Sequence, residues 1–219
     1  MLSTSHNGQL NRYLEQALQP QLQAHGFQLQ GRLFRRHTPL VIQVVEARLL
    51  RDDSRQDAQF TLEVGLCFPS LLAALARLDA FAHLARHVVK PTIQSCALRR
   101  RLGEFDTPAR DSWWPLAEVP AAQNHALLTL LVDQALPWLE SAGTLQALAQ
   151  GQYLDDGLTA RLMQALACLQ LGQDNRALET CLNHADGRYP DNLGMARRWA
   201  AELYNQLAAA LQPPPPCPV

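Results

Sequence analysis

Five apolar residues, Phe60, Leu62, Val64, Leu66 and Phe68, alternate with Thr61, Glu63, Gly65 and Cys67. A period of two puts one set of side chains on each face of an extended chain, so this stretch must be a strand and needs partners. Upstream, residues 40–50 are rich in β-branched side chains and apolar on both faces over Val41, Ile42, Val44 and Val45, the pattern of a central strand. The polar run 51–57 between them reads as the tip of an antiparallel hairpin. Residues 27–36 alternate as well. Phe27, Leu29 and Leu33 fall on one side, and Gln28, Gln30, Arg32, Phe34 and Arg36 on the other. A further strand is expected over 96–105, and Asp111–Leu116 is expected to be extended, because Pro115 holds Trp114 out of the helical region.

Elsewhere the period is helical. Leu10, Leu14, Ala17 and Leu18, with Leu22 resuming the stripe, mark a helix over about 9–25, which Pro20 should break or kink and Gly26 should close. Pro69-Ser70 open a helix to about Val89, striped by Leu71, Leu75, Leu78, Ala82, Ala85 and Val89. From Ala121 to Leu211 four or five helices are expected, broken at Gly143, Gly151, Gly157, Gly172 and 187–190. The order implies an α+β fold: an antiparallel sheet of four to five strands with helices on one face, then an all-helical extension. The expected divisions are an α+β domain at 9–140, the extension at 141–211, and a disordered proline-rich tail at 212–219.

With 47% hydrophobic residues, 40 of the 219 being leucine, the chain can bury a sizeable core. No apolar run is long enough to span a membrane, and the N-terminus has no secretory pattern. The five cysteines form no CxxC pair, so a reduced, cytoplasmic protein is the expectation. The net charge of −1 conceals opposed halves, 14 Lys+Arg against 9 Asp+Glu in residues 1–110 and 5 against 11 in the remainder.

Several segments recur in an order that resembles a known family: Leu22-Gln-Ala-His-Gly-Phe27, Gly31-Arg-Leu-Phe-Arg-Arg36, Phe60-Thr-Leu-Glu-Val-Gly65, Arg101-Leu-Gly103, Ser112-Trp-Trp114 and Leu136-Pro-Trp-Leu139. The family is a bacterial one catalogued as domain of unknown function 4304, and the resemblance covers 9 to about 140. It implies a fold and no reaction. Residues 158–191, with Gly172, Ala177 and Pro190, are similar to a single tetratricopeptide-like helical hairpin.

No catalytic constellation emerges. His83 and His87 are four apart but lack the glutamate of a zinc-protease motif and share a polar face with Asp79, Arg86 and Lys90. The cysteines read as buried thiols, and Glu104, Asp106 and Asp111 as turn residues. No metal, cofactor or enzymatic activity is expected. The best candidate is a basic sheet face: by alternation Arg32, Arg36, Glu63, Arg99 and Arg101 share an uncovered side, with Phe34 adding apolar area and Trp113 and Trp114 a rim. Asp155 and Asp156, with Asp174, Asp186 and Asp191, form an acidic counterpart in the helical half. The expected function is non-enzymatic binding of another bacterial protein, as an immunity protein binds a toxin. The alternatives are a nucleic-acid or phosphate-binding module on the arginine face, or a phosphotransfer enzyme.

Overall fold

The computed structural model describes residues 6–50, 58–109, 112–116, 121–152, 154, 157–188 and 192–212. In chain order the elements are α1 (His6–Tyr13), a π-helical turn (Leu14–Leu18), α2 (Gln19–Ala24), β1 (Gln28–Gln30), β2 (Leu33–His37), β3 (Ile42–Leu50), β4 (Gln59–Cys67), α3 (Pro69–Leu75) and α4 (Ala85–Val89). There follow β5 (Leu98–Arg101), β6 (Trp114–Pro115), α5 (Ala121–Thr129), a second π turn (Leu130–Ala135), α6 (Leu136–Ser141), α7 (Leu145–Gln150), α8 (Leu158–Gln170), α9 (Asp174–Arg188) and α10 (Leu193–Leu211). This is the expected α+β order, an antiparallel sheet followed by an all-helical region. The proposed hairpin tip at 51–57 and the tail at 213–219 lie outside the described residues.

The chain forms two compact units. The first comprises 1–66, 92–94 and 99–142, and the second 67–91, 95–98 and 143–219.

The first unit holds the sheet, ordered β1-β2-β3-β4-β5 with β6 also on β4. One sheet face is built on Phe34, Val45 and Phe60, and helices cover it. The Tyr13 ring lies 5.1 Å from that of Phe60, and the Tyr13 hydroxyl donates to Asn124 Oδ1 at 2.7 Å. Leu10, Leu14, Leu18 and Leu22 are fully buried, as their spacing predicts, while Ala17 is half-buried.

Pro20 does not break this helix. Proline has no N–H to give the carbonyl four residues back. The preceding turn widens instead, and Gln19 N–H bonds Leu14 O, five residues back. The same device precedes Pro137, where Leu136 N–H bonds Leu131 O. Both helices therefore run through their prolines. Gly26, at φ +82, ends the first one as expected.

The second unit is helical. Its helix after β4 is shorter than the leucine stripe suggests: α3 stops at Leu75, Leu78 is extended (ψ 129), and a 3-10 turn over Asp79–Leu84 leads into α4. Leu71, Leu72 and Leu75 are buried, whereas Ala82, Ala85 and Val89, assigned to the same stripe, are exposed. Arg77, two residues beyond α3, reaches the last turn of α10, its Nη1 donating to Ala210 O at 3.0 Å and Gln212 O at 2.7 Å. A cation there satisfies carbonyls that the helix leaves without partners. α8 and α9 form a hairpin about Gly172 (φ +68), and α10 packs on α9, with the His184 and Trp199 rings 5.4 Å apart.

Candidate functional site

The arginine face depends on the register of the first hairpin. Residues 27–36 are two strands, with Gln30 opposite Leu33, Leu29 opposite Phe34 and Gln28 opposite Arg35. Gly31, at φ +67, supplies the left-handed residue of a two-residue turn with Arg32. Directly opposed residues share a face, so the turn inverts the odd–even rule. Leu29 before the turn goes with Phe34 after it, and Leu33 goes to the other side.

This corrects three members of the expected face. Phe34 is 1% exposed and packs on the helix-covered side opposite Val45. Arg36 lies on that side too. Its Nε donates to Gln43 Oε1 at 2.6 Å, Nη1 to His25 O at 3.0 Å and Nη2 to Glu140 Oε1 at 3.0 Å, over the Phe27 ring at 4.9 Å. Gln43, 2% exposed, passes its amide to Leu139 O at 3.1 Å, so Arg36 ties the sheet to α6. Arg32 is in the turn and holds α1, with Nη2 2.7 Å from Asn7 Oδ1 and Nε 3.4 Å from Asn11 Oδ1. These arginines are structural clamps.

Glu63, Arg99 and Arg101 do share the opposite face. It is not uncovered along its length, because Ile42, Val44, Thr61 and Gly65 on that side are buried. Its charged part is a row across three strands. Glu63 on β4 sits between Arg48 of β3, 3.0 Å from its Nη1, and Arg101 of β5, 3.7 Å from its Nε. The glutamate side chain is 7% exposed, whereas those of Arg48 and Arg101 are 44% and 41% exposed. A carboxylate at the floor thus anchors two guanidiniums that keep much of their surface in water. Glu46, next to Arg48 on the same face of β3, accepts from Ile93 N–H at 3.2 Å.

Sequence reasoning missed Arg48. The signal was available: it shares parity with Ile42, Val44 and Glu46, and an arginine at an alternate position of a central strand needs a carboxylate on a neighbour.

The tryptophans separate. Trp114 is 8% exposed, pairs with Phe60 in β6 and β4, and packs its ring 6.2 Å from that of Phe60. Trp113 is half-buried, with the Arg101 guanidinium 5.9 Å from its ring centroid. Beside them is a cleft of about 370 Å³ lined by Asp106, Ser112, Trp113, Trp114, Gln123 and Leu130. The row Arg48–Glu63–Arg101–Trp113 therefore runs to the mouth of a cleft. β5 is shorter than expected, because the chain turns at Leu102–Phe105. Glu104 closes that turn, its Oε1 accepting from Arg101 N–H at 3.0 Å. It also pairs with Arg100 at 3.5 Å, whose guanidinium lies 3.9 Å from the Phe105 ring centroid.

Asp155 and Asp156 lie outside the described residues, as does Asp191, and the side chain of Asp186 is not described. Asp174, exposed at the start of α9, accepts from Tyr204 at 2.9 Å.

Cys67, Cys96, Cys168 and Cys181 are buried. Burial pushes the Cys67 thiol up to about 12 against the opposing hydrogen bond of Ser95, and burial lifts Cys181 to about 11. His83 is exposed and His87 half-buried; burial first, then Arg86 and His83, lowers the proton affinity of His87. Among the described residues no group of three or more His, Cys, Asp or Glu is placed to hold a metal ion, and no helix is long and apolar enough to cross a membrane.

No curated protein and no solved structure matches the chain. The model of one protein family does match, over residues 18–141, from the end of the first π turn to the last residue of α6, and so covers Arg32 and Arg36, the Arg48–Glu63–Arg101 row, Trp113 and Trp114. The chain accordingly belongs to the family described as Domain of unknown function (DUF4304).

Proposed function

We propose that this protein works without chemistry of its own, by binding another protein through the surface made by Arg48, Glu63, Arg101 and Trp113. The observation that supports it is the anchoring of two half-exposed guanidiniums on one buried carboxylate, one of them over a half-buried tryptophan. Arginine and tryptophan are the side chains that most often dominate binding energy, and they do so best when held in place before the partner arrives. The two guanidiniums are about half exposed, so a partner's carboxylates or carbonyls can reach them, and the adjoining cleft takes an inserted side chain. The immunity protein of a toxin is the form of this reading that the opposed charge halves favour, with the partner in the same bacterial cytoplasm.

The phosphate-binding alternative has less to draw on. Arg32 and Arg36 are engaged elsewhere, and the cations left on the face share it with Glu46 and Glu63.

The test is affinity capture from the native host with Arg48→Glu/Arg101→Glu and Trp113→Ala, against Arg197→Glu/Arg198→Glu on α10 as a charge-matched control. A protein captured by the parent and the control but not by the other two supports the reading. Salt-sensitive binding of DNA or RNA, lost in the same two variants and without any captured protein, would replace it with the nucleic-acid reading.

A further inference from the structure

The second unit contains a polar cleft of about 400 Å³ at the junction of α7, α8 and α9. That volume falls in the range of small-molecule sites. Its walls are mostly hydrogen-bonding groups, including Arg161 and Gln164 from α8, and Arg176, Glu179 and Thr180 from α9. Two of these are fixed in position by the end of α7. Gln164 Nε2 donates to Ala149 O at 3.1 Å, and Arg176 Nη2 donates to Gln150 O at 3.2 Å.

Gly151 makes this arrangement possible. It closes α7 at φ +73, and a Cβ there would collide with the Gln164 amide. Its left-handed backbone favours glycine at this corner of the cleft, and a side chain there would displace the Gln164 amide from its place.

Arg161 is the uncommitted group. It is half-buried and lines the cleft, yet its guanidinium makes no hydrogen bond or ion pair among the described residues. Glu179 lines the same cleft and pairs with neither arginine at ion-pair distance. A guanidinium that is partly desolvated and unpaired attracts an anion, and bidentate geometry suits carboxylate and phosphate oxygens. Thr180 donates its hydroxyl proton to Arg176 O at 2.9 Å, which leaves the oxygen able to accept from a protonated ligand group.

We propose that this cleft is a binding site for a small molecule bearing an oxyanion, a phosphate or a carboxylate, held by Arg161 and Arg176. The site is independent of the protein-binding surface proposed above and stands if that reading fails.

The full chain is titrated by calorimetry with inorganic phosphate and, separately, with succinate, in a background of constant chloride. Arg161→Gln removes the uncommitted cation without touching the α7 contacts, and Arg198→Gln on α10 removes one exposed charge elsewhere. Binding of either probe that weakens roughly tenfold in Arg161→Gln, the loss of about one charge-assisted hydrogen bond, and stays within about twofold in Arg198→Gln supports the site. The probe that binds more tightly identifies the oxyanion. No saturable binding of either probe, or an equal loss in both variants, overturns it. Circular dichroism of each variant confirms that the comparison is between folded proteins.

Discussion

Replacing Phe34 with alanine tests the hairpin geometry on which the site assignment rests. The side chain is 1% exposed, sits opposite Val45 and Leu29, and faces the helix-covered side of the sheet. Truncating a phenylalanine in such a place forfeits its transfer free energy and leaves a cavity, together about 3–5 kcal/mol. On the alternative parity, with Phe34 among the arginines of an open face, the loss would be within about 0.5 kcal/mol. The two readings differ several-fold, so the measurement decides between them. Urea unfolding followed by tryptophan fluorescence is suitable, because Trp113, Trp114 and Trp138 are in the first unit and Trp199 in the second. A Trp199→Phe background confines the signal to the unit with the sheet. For a chain of this length each kcal/mol moves the thermal midpoint by about 2–4 °C, so a drop of roughly 6–20 °C is expected. A cost below about 1 kcal/mol would refute the inverted parity and return Phe34 to the opposite face.

Three further outcomes follow from the contacts. Arg36→Ala leaves the buried Gln43 oxygen without its donor and should cost about 1–3 kcal/mol in the same unfolding assay, and lysine should not restore the loss, because it cannot serve Gln43, His25 O and Glu140 together. Gly151→Ala should destabilise the second unit by about 1–2 kcal/mol, mainly through its left-handed backbone, because the flexible Gln164 amide can swing aside, and this is seen as a loss in the Trp199 transition. Burial raises Tyr13 from its ordinary value near 10 to about 12, and Cys67 likewise to about 12. The unfolded chain then releases protons at a lower pH than the folded one, so the stability these groups contribute is complete below about pH 9 and is lost as pH rises towards 12. Urea midpoints that stay level between pH 9 and 12 would contradict both assignments.

The local alternation of β4, the leucines of the first helix and the glycine that closes it were legible because each is a short-range pattern. A strand has period two, a helix 3.6, and both can be read without knowing the neighbours. The buried thiols and the order of elements were legible for the same reason. Sequence also sufficed to recognise the family, since its motifs follow one another along the chain. Parity beyond a turn was not legible. Phe27, Leu29 and Leu33 alternate perfectly in sequence, and only the pairing of Gln30 with Leu33 shows that the chain reverses between them. That single turn moves Phe34 and Arg36 to the helix-covered face and removes two residues from the expected site. The helices through Pro20 and Pro137 depended on tertiary packing in the same way. A π turn is disfavoured in isolation, and burial of Leu14, Leu18, Leu131 and Ala135 against the core compensates for it. The partner of Glu63 was also decided in three dimensions, because Arg48 and Arg101 are 53 residues apart in sequence and meet only when their strands flank β4. Sequence determined which segments form which elements; the closing of turns and the burial of faces determined which side chains stand together.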